Sequence, residues 1–269
     1  MRWRLSERAV VSGLVALGIY LAWLLAFAPA TLLDAVANRG TGGRLRLAEA
    51  QGTLWSGTGH LEIRDASGLR GIGRNLVWRF QPQALLRGRL GFQFNVADSA
   101  KNFAASFSPF SAEIADADFV LPAAALGLAV PRVALIEPTG ELLVHLPRLV
   151  VADKQISGKV LVRWQSAGSS LTPVSPLGDY ELRVESESGG LEASLSTLKG
   201  PLHLEGKGSL RGAGPPAFKI SAWVDPQWQA QLVPFLRLIA VEREAGMFEL
   251  QLAGTMGSVP GNSADPLRR

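Results

Sequence analysis

The stretch Leu90-Gly91-Phe92-Gln93-Phe94-Asn95-Val96 decides the fold. Successive side chains of an extended chain point to opposite faces, so Leu90, Phe92, Phe94 and Val96 share one face. Gly91, Gln93 and Asn95 share the other. That alternation predicts a strand with one buried and one wet face. The same period recurs on either side. Leu76, Trp78 and Phe80 alternate with Val77 and Arg79, and Phe103, Ala105 and Phe107 continue the pattern after Asp98-Ser99. Between them, Pro82 to Leu86 predicts a single helical turn, because proline suits the first helical position. Gly88 ends it.

Upstream, Leu45 and Leu47 alternate with charged neighbours, and His60-Leu61-Glu62-Ile63 alternates again. Downstream, Gly140 to Ala152 predicts a strand interrupted at Pro147, and Gly158 to Trp164 another. Four further strands centre on Leu182, Ala193, Leu204 and Ile220, and a last one spans Met247 to Leu252. Turn residues recur about every ten positions, the spacing of an antiparallel meander. Phe119 to Pro131 is apolar on all sides and is expected to be a short buried helix or a loop under the sheet. Pro226 to Val241 breaks the β period. Trp228, Leu232, Phe235, Leu236 and Ile239 recur at helical spacing, with Pro234 expected to kink or split the helix.

Ala9 to Ala28 contains no charge and no proline. A helix of that length rises roughly 30 Å, the thickness of a bilayer core. Arg2, Arg4 and Arg8 precede it against Glu7 alone, and basic residues flanking a span stay on the cytoplasmic side. Ala26-Phe27-Ala28 resembles a cleavage site. However, Pro29 would then be the first mature residue, and the apolar run exceeds the ~7–15 residues of a signal-peptide core. The expected organisation is therefore a cytoplasmic segment 1–8, a transmembrane anchor 9–28, a β-rich domain 29–257 on the far side and a disordered tail 258–269. The fold class is mainly β: one anchor helix, then a large curved antiparallel sheet with few short helices. A likeness between the region around Trp55–Trp78 and that around Trp164 suggests two related halves, roughly 44–150 and 155–257.

The 269 residues carry a formal net charge of +4. The N-terminal arginines and the terminal Arg268-Arg269 account for most of it, which leaves no basic face for nucleic acid. Cysteine is absent, so the chain has no disulfide, thiolate metal site or cysteine nucleophile. No serine lies in a nucleophile elbow, and His60, His145 and His203 lack metal-ligand spacing. Each histidine sits among alternating strand residues and is expected to face solvent. Gly68 to Gly73 is glycine-rich but precedes no helix, so it is a turn and not a phosphate cradle. Asp116 and Asp118 fit a solvated strand face. No catalytic, cofactor or metal site is expected. The tryptophans fall on apolar alternations and fit core packing. The functional alternative is an aromatic groove that holds lipid or a partner's strand or helix. Its candidate residues are Trp55, Trp78, Phe92, Phe94 and Trp164.

Gly52-Thr53-Leu54-Trp55-Ser56-Gly57, followed by Trp78-Arg79-Phe80-Gln81-Pro82-Gln83-Ala84-Leu85-Leu86-Arg87-Gly88-Arg89-Leu90, resembles the protein N family of the type II secretion system of Gram-negative bacteria. Leu121 to Pro131, Gly140 to Leu143, Pro176 to Tyr180 and the Phe248 to Gly254 strand are also similar to that family. The closing strand is less aromatic than the family's pattern. The resemblance implies a non-enzymatic inner-membrane subunit with its main domain in the periplasm and other inner-membrane secretion subunits as partners. It carries over no catalytic residue. An anchored lipid-binding or lipid-transfer module is the alternative, motivated by an apolar face that includes Leu90, Phe92, Phe94, Val160 and Val162.

Overall fold

The computed structural model describes residues 7–253, except 66–70, 98, 100, 153–154, 188–189, 212–216 and 245. Two compact units divide between Pro109 and Phe110. Both are antiparallel β with little helix. The expected tail and residues 68–70 of the expected glycine-rich turn lie outside the described residues, while Gly71 to Gly73 are not turn but the start of a strand, paired with Glu62 to Arg64.

The first unit opens with helix α1 (Glu7–Ala26). Its described side chains start at Val11, and Leu14, Ile19, Trp23 and Phe27 after it are all more than half exposed. Among the described residues no helix is long and apolar enough to cross a membrane. Helix α2 (Thr31–Gly40) follows. It runs beside strand β1 (Leu45–Gly52), and Asp34 Oδ1 accepts the Leu47 amide at 2.8 Å. A strand-edge donor is thus satisfied by a helix side chain, which blunts an otherwise pairing-competent edge.

Strands β2 (Ser56–Arg64), β3 (Gly71–Gln81), β4 (Leu90–Val96) and β5 (Phe103–Phe107) then pair in chain order. The helical turn Pro82–Arg87 joins β3 to β4, and Gly88 ends it at φ 66°. The alternation read from Leu90 to Val96 is the observed one, with Trp78 opposite Phe94 and Phe80 opposite Phe92.

The second unit forms strands β6 (Ser111–Pro122), β7 (Pro138–Ala152), β8 (Gln155–Ser169), β9 (Gly178–Glu187), β10 (Gly190–Lys199), β11 (Leu202–Arg211) and β12 (Ala217–Val224). They pair in chain order. β14 (Met247–Ala253) then pairs with β12, and β13 (Val241–Glu244) pairs with β14. Phe119 to Pro122 is the end of β6, not helix or loop. Only the following residues turn helical, through Ala123–Ala125, α3 (Leu126–Ala129) and α4 (Pro131–Ala134). The β6–β7 ladder keeps its register but lacks the pair at Asp116 (φ 53°) and Pro147, and the β7–β8 register shifts between His145 and Arg148. Proline has no amide to give the ladder, so it sits where the pairing is already irregular.

Helix α5 (Gln229–Ile239) packs on this sheet. Leu232, Phe235 and Leu236 are buried against Leu202, Ala222, Val224 and Phe248. The helical stripe read from the sequence is this face. Pro234 lies inside the helix without splitting it.

Candidate functional site

The Gly52–Gly57 run joins β1 to β2 at the end of the first unit where α1 leaves off. Gly52 has φ 95°, a conformation that side chains disfavour. A Cβ added at Gly57 would come within 2.5 Å of the Trp78 ring. The missing side chain is what lets that indole lie across β2. Trp78 is 1% exposed and donates its indole N–H to the Thr53 carbonyl at 3.2 Å. Gly57 and Trp78 are therefore one packing device, while Gly52 lets the connection close tightly on the Ser56–Gly57 backbone. Trp55 plays a different part. It is half-buried, and its indole N–H donates to the Leu25 carbonyl at 2.9 Å. Beside it the Leu54 amide donates to the Ala28 carbonyl at 2.8 Å and the Ala30 amide to the Gly52 carbonyl at 3.2 Å. The first bond reaches a carbonyl in the last turn of α1, and the other two tie the residues just after α1 to the β1–β2 connection.

From Trp55 a chain of aromatic contacts crosses the apolar face. Ring centroids are 4.8 Å apart for Trp55–Phe80, 5.5 Å for Phe80–Phe92 and 6.1 Å for Phe92–Phe107. Phe94 stacks on Phe103 at 5.3 Å. Tilted and edge-on pairs at such spacings are favourable beyond the area they bury. Phe92 is buried, while Leu90 and Phe107, directly opposite each other, are 42% and 40% exposed. The face grades from core to surface along one row.

Trp55, Phe92 and Phe94 therefore share this face. Trp78 lies on it too, but its ring has almost no free surface. Phe80, Phe103 and Phe107 complete the row. Their alternation was readable, but their contacts depend on strand register.

Trp164 belongs to the second unit. It is half-buried beside Tyr180, with ring centroids 5.9 Å apart, and donates to the Thr139 carbonyl at 2.9 Å. Trp78 and Trp164 thus each bond a threonine carbonyl 25 residues earlier. The likeness stops there: Thr139 lies on β7, paired directly with β8, whereas Thr53 lies in the connection before β2. Across β7, β8 and β9, Val144 pairs with Val162 and Val162 with Leu182, while Val160 pairs with Val184. These side chains are half-buried.

The opposite face is ionic. Glu181 is 2% exposed, between Arg163 Nε at 2.8 Å and Arg183 Nε at 2.7 Å. Hydrogen bonds first from Arg163 and then from Arg183 hold its carboxyl below the ordinary carboxylate value, against the opposing effect of burial. Lys159–Glu185 and Arg148–Glu113 pair nearby at 3.2 and 2.7 Å. Tyr180, on the apolar side, donates its hydroxyl to the Leu202 carbonyl at 2.9 Å. Burial, and then the charge of Asp179, push its hydroxyl well above the ordinary tyrosine value.

The histidines are engaged locally. His60 bonds Asn75 at 3.0 Å, His145 bonds Asp118, and His203 bonds Asp225 at 2.9 Å while stacking on Trp223. Among the described residues, no group of three or more metal-ligating side chains converges. The chemistry is that of surfaces: an aromatic, apolar face in the first unit and, in the second, a sheet with an aliphatic face and an ion-paired face.

No curated protein and no solved structure matches the chain. The family described as Type II secretion system (T2SS), protein N matches residues 43–251, from just before β1 into β14. That span includes both tryptophan-to-threonine bonds, the aromatic row and α5. The chain belongs to the type II secretion system protein N family.

Proposed function

We propose that the chain is a non-catalytic inner-membrane subunit of the type II secretion machinery. Residues 1–8 lie in the cytoplasm, 9–28 span the membrane and 29–257 form a periplasmic β domain that supports export of folded proteins across the outer membrane. The family match over residues 43–251 carries this reading. The charge-free run Ala9 to Ala28 supports the anchor. The apolar face supports an interaction role, because exposed Leu90 and Phe107 continue a buried aromatic row to the surface. Its partners are other bitopic inner-membrane subunits, held against Trp55, Phe92, Phe94 and Trp164. Deletion of the chain is expected to trap exoproteins in the periplasm or to lower the levels of the inner-membrane subunits. Normal export with normal subunit levels would contradict the reading.

A second reading is a lipid-binding module. The half-buried row Val144, Val160, Val162, Leu182 and Val184 favours it, since it presents aliphatic surface backed by an ionic face. Native mass spectrometry of the purified chain would then show bound phospholipid, and a clean apo mass would count against it.

A further inference from the structure

We propose that the helical turn Pro82–Arg87 is a second membrane contact, in which Leu85 and Leu86 enter the lipid interface beside the end of α1. This rests on the reading of residues 9–28 as an anchor. Leu86 is 90% exposed and Leu85 is 52% exposed. Two leucines at the tip of a tight turn gain nothing from the core and leave apolar surface in water. The turn is built to hold them there. Pro82 starts it and Gly88 closes it at φ 66°, with the Gly88 amide on the Leu85 carbonyl and the Arg89 amide on the Ala84 carbonyl.

Its position is fixed by a short chain of bonds. Trp55 binds the Leu25 carbonyl of α1, and the Trp55 carbonyl accepts the Phe80 amide at 2.6 Å. Phe80 is two residues before Pro82. The turn therefore projects from the same end of the sheet as α1. Leu90 and Phe107 lie at that end too, directly opposite each other and partly exposed. Arg87 is exposed in the last residue of the turn. A leucine pair with a neighbouring guanidinium matches a bilayer interface: the leucines reach the acyl boundary and the arginine stays among the phosphates. The occupant is therefore a phospholipid surface. Such a contact would fix the tilt of the first unit on its anchor.

The test uses the full chain reconstituted in phosphatidylcholine–phosphatidylglycerol vesicles. The protein has no cysteine, so Leu86→Cys, Leu17→Cys and Lys101→Cys each carry one environment-sensitive fluorophore. Lys101, just before β5, is exposed at the far end of the β4–β5 pair. Loss of fluorescence to acyl-chain spin labels at positions 17 and 86, with position 101 quenched only by aqueous iodide, is the result expected. Position 17 in lipid with position 86 in water would overturn this inference and leave the anchor standing. Positions 17 and 86 both in water would overturn both.

Discussion

The Trp55 indole N–H donates to the Leu25 carbonyl at 2.9 Å, so a residue of the β1–β2 connection bonds the last turn of the helix thirty positions earlier. Trp55 also packs edge-on against Phe80 at 4.8 Å. Trp55→Phe removes the hydrogen bond and keeps an aromatic ring. A loss of about 0.5–1.5 kcal/mol in unfolding free energy is expected. Faster amide exchange at Leu54 and Ala30 would show that the joint between α1 and the sheet has loosened.

Gly57→Ala sets a methyl group within 2.5 Å of the Trp78 ring. The methyl also falls against the Gln51 carbonyl oxygen, so the β1–β2 backbone must shift and the indole must give way over β2, straining its bond to Thr53. The expected cost is about 1–3 kcal/mol, the usual range for overpacking a filled site. A red-shifted tryptophan emission would accompany it. An unchanged melting curve would mean that Gly57 is not what seats Trp78.

Leu232 is fully buried in the interface between α5 and the sheet. Leu232→Ala is expected to destabilise the second unit by about 2–5 kcal/mol through lost burial and a residual cavity. Leu238→Ala is the control, because Leu238 is 73% exposed on the same helix. Denaturant titration of both variants separates packing from helix propensity.

Much of this architecture was legible because its period is local. The alternation at Leu90 to Val96, the turn at Pro82 and the α5 stripe each depend on residues within a few positions of one another. Other features were not legible. Glu49, Asp116, Glu137 and Ser166 all have positive φ. No glycine marks these positions, so the irregularities at Glu49 and Asp116 carry no compositional signal. Phe119 to Pro122 is apolar at every position, and a run of that kind has no period to separate strand from helix. The burial of Glu181 depends on two arginines, one of them on a neighbouring strand. The seating of Trp78 depends on a glycine of β2. Both are consequences of register, which the turns and the buried face set together.

Glu181 makes the second unit sensitive to acid. Its carboxyl is held below the ordinary value of 4.5 by Arg163 and Arg183. A carboxyl lowered by folding adds stability above its unfolded value and loses it as pH falls through the folded one. Wild-type stability should therefore drop as pH falls below about 4.5 towards that lower value. Glu181→Gln should be less stable at neutral pH and should lack this part of the acid limb. Urea midpoints of both proteins from pH 7 to pH 3 provide the comparison. Parallel curves would mean that the two guanidiniums contribute nothing at this site.

In-cell photocrosslinking from the apolar face tests the central claim most directly. A photoreactive residue at Phe94 or Phe107 reports what covers the aromatic face of the first unit, and one at Trp164 reports separately on the second unit. Trp78 would report little, because its ring is buried. Adducts to other inner-membrane subunits of the secretion machinery are the result predicted for an interaction subunit. Adducts to phospholipid alone, with no protein partner at any of the three positions, would contradict it.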